Sequence, residues 1–245
     1  MTWLDALILF GGGLLAGVIN SMAGGGSLLT VPLLSLAGVD GLSANGTNRV
    51  AVLFQAVTAG VGYHQGGVRP YAITKRLLPA ALAGGLLGAL LVSQLDDDIF
   101  ERAFGLLMIP LLILSLWKPK PDAAPEPWSR WVEGVVFFGI GFYAGAIQAG
   151  AGLILLLVLR RAGLDLLRGN AVKTHLIIAI SGLVALPVFL WNGQVEWLPA
   201  VVLSLGSAAG AYAGARVATK GGEKIIKPVL IVAVLALSGR MIGLY

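Results

Sequence analysis

The sequence predicts an all-α integral membrane protein built as two inverted repeats of transmembrane helices, with a broken or re-entrant helix in each half. Three observations lead there. Of the 245 residues, 57% are hydrophobic and only 12% are charged, against roughly 25% charged in a soluble domain. Apolar runs recur at close to the ~20 residues that cross a bilayer. A glycine-rich interruption, Ala23-Gly24-Gly25-Gly26-Ser27, is echoed by Ala149-Gly150-Ala151-Gly152.

Taken in order, the long apolar runs are Trp3 to Asn20, Asn45 to Tyr63, Leu77 to Leu95 and Phe104 to Trp117 in the first half. Trp131 to Gln148, Ala171 to Trp191, Leu198 to Val217 and Ile225 to Leu244 follow in the second. About eight spans are therefore expected. The first run has Asp5 and no basic residue near its start, unlike a secretory signal, and reads as a retained span. Ser27 to Leu36 and Leu153 to Leu159 are shorter apolar pieces directly after the glycine breaks and read as half-helices or short crossings. There is no cysteine, so disulfides, thiolate metal sites and cysteine catalysis are excluded. No cofactor or metal is expected.

Gly38, Asp40 and Asn45 recur at one constant offset as Gly163, Asp165 and Asn170, and Glu101-Arg102 is matched by Glu223-Lys224. The chain thus reads as a tandem duplication: residues 1–117, a proline-rich linker at 118–130, and residues 131–245. Loop charge orients the halves. In the first, the loop with Arg69, Lys75 and Arg76 is basic and the next, with Asp96, Asp97, Asp98 and Glu101, is acidic. In the second, the loops with Arg160, Arg161, Arg168 and Lys173 and with Arg216, Lys220, Lys224 and Lys227 are basic. Corresponding loops have opposite character, and because basic loops face the cytoplasm the halves must be inverted. An odd number of crossings per half follows if each short segment returns the chain to the side it came from.

Irregular backbone at membrane depth is tolerated only where protein or a water-filled cavity covers it, so each break is a candidate binding site. A helix starting at Ser27 presents free N–H groups and a partial positive charge, which favours an anion. Asn20, Ser27 and Gln148 add neutral hydrogen-bonding side chains beside Gly24, Gly25, Gly26, Gly150 and Gly152. Gly84/Gly88 and Gly206/Gly210/Gly214, at four-residue spacing, read instead as close helix packing. The next spans open with Asn45-Gly46-Thr47-Asn48-Arg49 and Asn170-Ala171-Val172-Lys173-Thr174-His175. Ionisable residues at membrane depth are functional candidates, with snorkelling of Arg49 and Lys173 to the interface the alternative. His175 could carry a proton or be satisfied by neighbouring backbone, and Gln55 could line a path or bond a neighbouring helix. All twelve acidic residues lie in loops or near span ends. No carboxylate is left for the membrane centre, which disfavours a cation pathway and favours an anion.

At these residues the chain resembles the sulfite exporter TauE/SafE family of membrane permeases. The resemblance rests on Ala23-Gly24-Gly25-Gly26-Ser27-Leu28-Leu29-Thr30-Val31-Pro32-Leu33-Leu34, on Asn45-Gly46-Thr47-Asn48, and on the duplicated layout. The second copy, Gly150-Ala151-Gly152-Leu153, lacks the serine and proline of the first. The resemblance implies a bacterial or archaeal cytoplasmic membrane protein moving small anions such as sulfite or organosulfonates. Expected partners are that anion and the bilayer, with no nucleic acid; a homodimer is left open. A membrane-embedded enzyme is the alternative from another class, and two histidines without cysteine or mid-membrane carboxylate offer it little. A passive anion channel is the third reading.

Overall fold

The computed structural model describes residues 1–23, 25–116 and 128–218. Gly24, almost all of the 118–130 linker, the run Ile225 to Leu244 and the Glu223-Lys224 match lie outside them. Among the described residues the fold is all helical. The helices are α1 (Trp3–Ala23), α2 (Ser27–Leu36), α3 (Gly41–Gln65), α4 (Tyr71–Val92), α5 (Asp97–Leu116), α6 (Arg130–Ala146), α7 (Ala151–Arg161), α8 (Leu166–Ile178), α9 (Leu186–Trp191) and α10 (Trp197–Ala218). A π-helical stretch, Ala179–Ala185, joins α8 to α9 into one rod. It lies directly before Pro187, a residue with no N–H for the carbonyl four positions back.

Among the described residues four helices are long and apolar enough to cross a membrane: Trp3–Met22, Tyr71–Val92, Leu166–Trp191 and Trp197–Val217. Seven of the runs counted in the sequence fall at least partly within those residues. α3 has the length but is diluted by Asn45, Asn48, Arg49 and Gln55, all buried inside the protein. α6 has 17 residues, so its apolar run is cut short by the break that follows.

α2 is apolar on every side and has eight buried residues, Ser27 to Leu34, as a helix enclosed by protein must. Its Leu28, Leu29, Val31 and Leu34 share a core with Phe100, Phe104, Met108 and Leu111 of α5 and with Leu153 of α7. α7 packs in a second core, Leu155 and Leu159 lying with Leu77 and Ala81 of α4 and Val172 and Leu176 of α8. Each short helix is therefore wrapped by longer ones.

The longest contacts join the expected halves. α1 packs along α10 and α4 along α6, so the first helix of each half lies on the fourth helix of the other. Both pairs approach backbone to backbone through glycine. A Cβ at Gly206 or Gly210 would overlap the carbonyl oxygens of Phe10 or Leu14, and one at Gly17 would overlap that of Ser207. Likewise a Cβ at Gly84 or Gly88 would overlap Phe138 or Phe142, and one at Gly145 would overlap Gly85. The four-residue glycine spacings are thus packing seams, as small residues are in membrane helices.

Valine in place of Gly210 should separate α1 from α10 and cost about 1–3 kcal/mol of overpacking, whereas Gly134→Ala, with nothing within 4 Å of the added carbon, should be neutral. Thermal unfolding of the two purified variants in detergent checks the contrast.

Candidate functional site

Both breaks leave carbonyl oxygens without their i+4 N–H donors, since the last four C=O groups of any helix have no partner within it. At the end of α6, Arg49 takes up this deficit. Its Nη1 donates to Ala144 O at 3.1 Å, and its Nη2 donates to Gly145 O at 2.5 Å and Ala146 O at 3.1 Å. Asn45 Nδ2 adds a bond to Ala146 O at 2.8 Å, and Phe189 lies 4.4 Å below the guanidinium carbon. A cation at a helix C-terminus also meets the negative end of the macrodipole.

The end of α1 is capped in the same manner from α8. Asn170 Nδ2 donates to Met22 O at 3.2 Å, and Lys173 Nζ donates to Asn20 O at 2.6 Å and to Asn170 Oδ1 at 2.7 Å. The Tyr63 hydroxyl donates to Ser21 O. Asn45 and Asn170, equivalent in the sequence repeat, thus do equivalent work, each reaching across to the other half's first helix. Arg49 and Lys173 are fully buried or nearly so, at 0% and 3% exposure, so neither snorkels to an interface.

The breaks touch each other. Gly150 N donates to Ser27 Oγ at 3.0 Å. Gly150 has φ 70° and Gln148, a non-glycine, has φ 65°. A left-handed non-glycine residue costs roughly 1–2 kcal/mol and points to a site that the surrounding packing enforces. Gln148 Nε2 donates to Ser181 Oγ at 2.6 Å, so the π-helical stretch holds the side chain of this residue of strained backbone. Tyr143 braces the same turn by donating to Ala149 O at 2.5 Å.

A cavity of about 20 Å³ lies between the breaks, with Asn20, Ser27, Gln55, Gln148, Lys173 and Thr174 as its principal polar lining and Gly152 beside them. That volume suits a water-sized occupant. Asn20 Nδ2 donates to Gln55 Oε1 at 2.5 Å, which ties α1 to α3. Asn20 Oδ1 and Gln148 Oε1 are buried without a partner.

Other sequence candidates lie elsewhere. Arg49, Asn45 and Asn170 cap helix ends outside the cavity lining. Thr47 Oγ1 accepts from Glu196 N at 2.8 Å and holds the loop before α10. Asn48 is fully buried, and neither amide atom has a partner. Gly25 and Gly26 carry the turn into α2. A Cβ at Gly26 would overlap Ala16 O of α1, so it is the protein's own backbone that approaches this glycine. The Leu28 and Leu29 N–H groups are engaged by Gly25 O and Gly26 O, and those of Leu153 and Ile154 by Gly150 O, which reduces the free donors at both helix starts. His175 Nδ1 lies 2.7 Å from Ala171 O, and its ring packs edge-on against Tyr71, away from the cavity. Gln55 both lines the cavity and bonds a neighbouring helix. Ser181 was absent from the sequence candidates; the available signal was a polar residue six positions before a mid-span proline.

The sequence matches the family described as "Sulfite exporter TauE/SafE" over residues 9–241. The chain belongs to the TauE/SafE family. Its relatives include a Sinorhizobium protein named "Probable membrane transporter protein ORF9", 34% identical over 243 residues covering 96% of this chain and 91% of that one. An Escherichia coli K12 protein named "Probable membrane transporter protein YfcA" is 29% identical over 241 residues, covering 96% and 88%. A Haemophilus influenzae "Probable membrane transporter protein" is 28% identical over 243 residues, covering 96% and 93%. No solved structure matches. This TauE/SafE chain is a multi-pass membrane protein of a transporter family.

Arg49→Met should strip the Ala144 and Gly145 carbonyls of their side-chain donor, leave Ala146 O with Asn45 alone, and destabilise the protein by upwards of about 2 kcal/mol. Arg49→Lys, which keeps the charge but loses the fork that spans several carbonyls, should recover only part of it. The unfolding midpoints of the three proteins in one detergent decide.

Proposed function

We propose that the chain is a secondary transporter, an exporter of a small anion such as sulfite or an organosulfonate, which binds between the two glycine breaks. The observation that carries this reading is the Lys173 ammonium, buried beside a polar cavity that has no carboxylate among its described lining residues. Two of its donors are spent on Asn20 O and Asn170 Oδ1, leaving the third for a ligand. The Ser27 and Thr174 hydroxyls supply further donors. Arg49, whose Nη1 and Nη2 are bonded to α6 carbonyls, does not line the cavity whereas Lys173 does, so the countercharge falls to Lys173.

The inverted-repeat reading gains support from the crossed caps and crossed glycine seams, which relate the halves by the same contacts taken twice. Around such a pair, rocking of one half against the other would expose the site alternately to each side. Protons or the membrane potential would drive the cycle. The lining offers no nucleophile–base pair or metal cluster for an enzyme.

In proteoliposomes loaded with sulfite, Lys173→Gln should lower anion flux by about tenfold or more, the scale of one charge-assisted hydrogen bond, with the protein still folded by thermal unfolding. Flux equal to that of the wild type would sink the role given to Lys173.

A further inference from the structure

We propose that the cavity selects a singly charged oxoanion that still carries a proton, and that the Asn20–Gln55 amide pair reads that proton. The inference rests on the transport reading above and names the form of its cargo.

Charge is the first argument. Lys173 is the one charged side chain among the described lining residues, and it offsets one negative charge. A dianion would bring a second, uncompensated charge into a site of low dielectric, where an unpaired ion is expensive.

Hydrogen-bond counting is the second, and it survives rotation of the amides, whose oxygen and nitrogen positions are interchangeable. Asn20 and Gln55 share one N–H···O bond of 2.5 Å. Two amides joined by a single such bond leave one carbonyl oxygen over, on Asn20 in one arrangement and on Gln55 in the other, and the NH2 group of the opposite residue, which can donate to a bare oxygen of a ligand but does not meet that carbonyl. Both residues line the cavity, and the leftover Asn20 Oδ1 is buried with no donor. A fully deprotonated oxoanion would meet this oxygen lone pair to lone pair. One with an O–H donates to the leftover oxygen, while its bare oxygens accept from Lys173 Nζ and the Ser27 and Thr174 hydroxyls. Sites built to bond a substrate's proton reject analogues lacking it strongly, because the polar groups of the site are then left unpaired.

The test uses the full-length protein in proteoliposomes and pairs of anions matched in shape and charge. Hydrogensulfite is set against chlorate, and hydrogencarbonate against nitrate, each at a pH where the named ion predominates, with sulfate as the dianion. The protonated member of each pair should half-saturate transport at a concentration at least about tenfold lower than its donorless match, as expected for an unmet buried acceptor, and sulfate should compete poorly. In a double variant, Asn20→Leu with Gln55→Leu, the preference should collapse to within about twofold. If the wild type handles the matched pairs alike, or carries sulfate as well as hydrogensulfite, the inference is overturned while the transport reading stands. A double variant that keeps the full preference overturns the assignment to this amide pair. Failure of the wild type to bind or move any member of the panel or methanesulfonate, the simplest organosulfonate, overturns both readings together; transport of methanesulfonate alone, whose oxygens are all bare, overturns the inference and leaves the transport reading standing.

Discussion

A carbonyl oxygen left at the end of a helix inside the membrane has no water to turn to, and most of this architecture follows from supplying it with a donor. α1 and α6 both stop short, at Ala23 and Ala146, and each stop strands several carbonyls in an apolar interior. The remedy is the same at both ends: an asparagine and a cation from the third helix of the opposite half. Arg49 serves three carbonyls of α6, and Lys173 with Asn170 serves two of α1. An unmet buried carbonyl costs on the order of 1–3 kcal/mol, so these caps rank with the largest single contributions to holding the halves together.

Because each cap reaches across the chain, the two halves cannot form their breaks independently. The glycine seams between α1 and α10 and between α4 and α6 impose the same dependence by packing. The breaks are therefore pressed against each other, Gly150 N on Ser27 Oγ, and the polar cavity is what remains between them. Arg49 and Lys173 play unequal parts here. The hydrogen bonds of the arginine go to backbone carbonyls of α6, whereas the lysine both caps α1 and lines the cavity.

Much of the site was legible in the sequence. Glycine runs inside apolar stretches, asparagines repeated at one offset, and the lack of mid-membrane acids all carry a direct physical meaning, and Asn20, Ser27, Gln148, Gly152, Lys173 and Thr174 do meet at one cavity. What could not be read was which way each side chain turns. Arg49, Thr47 and Asn45 share a short motif yet serve an α6 cap, a loop and a second α6 cap contact. Their direction depends on segments far along the chain, at separations of 95 to 149 residues. Gly26 looked like a place for a ligand and is taken by Ala16 O, because a tight return of α2 onto α1 needs the same absence of Cβ.

By itself the sequence determined the solvent and the charge character of the side chains available inside the membrane. Composition commits the chain to lipid, glycine runs commit the backbone to break, and acids confined to loops and span ends leave only cations and neutral dipoles inside. Those properties are local and follow from residue type. Only the tertiary structure decided which cation lines the cavity, that the halves cap one another, that Gln55 lies at the cavity wall and that Ser181 bonds Gln148 beside it. Each of these is settled by long-range packing, which brings a given donor within 3 Å or so of one acceptor and away from the rest.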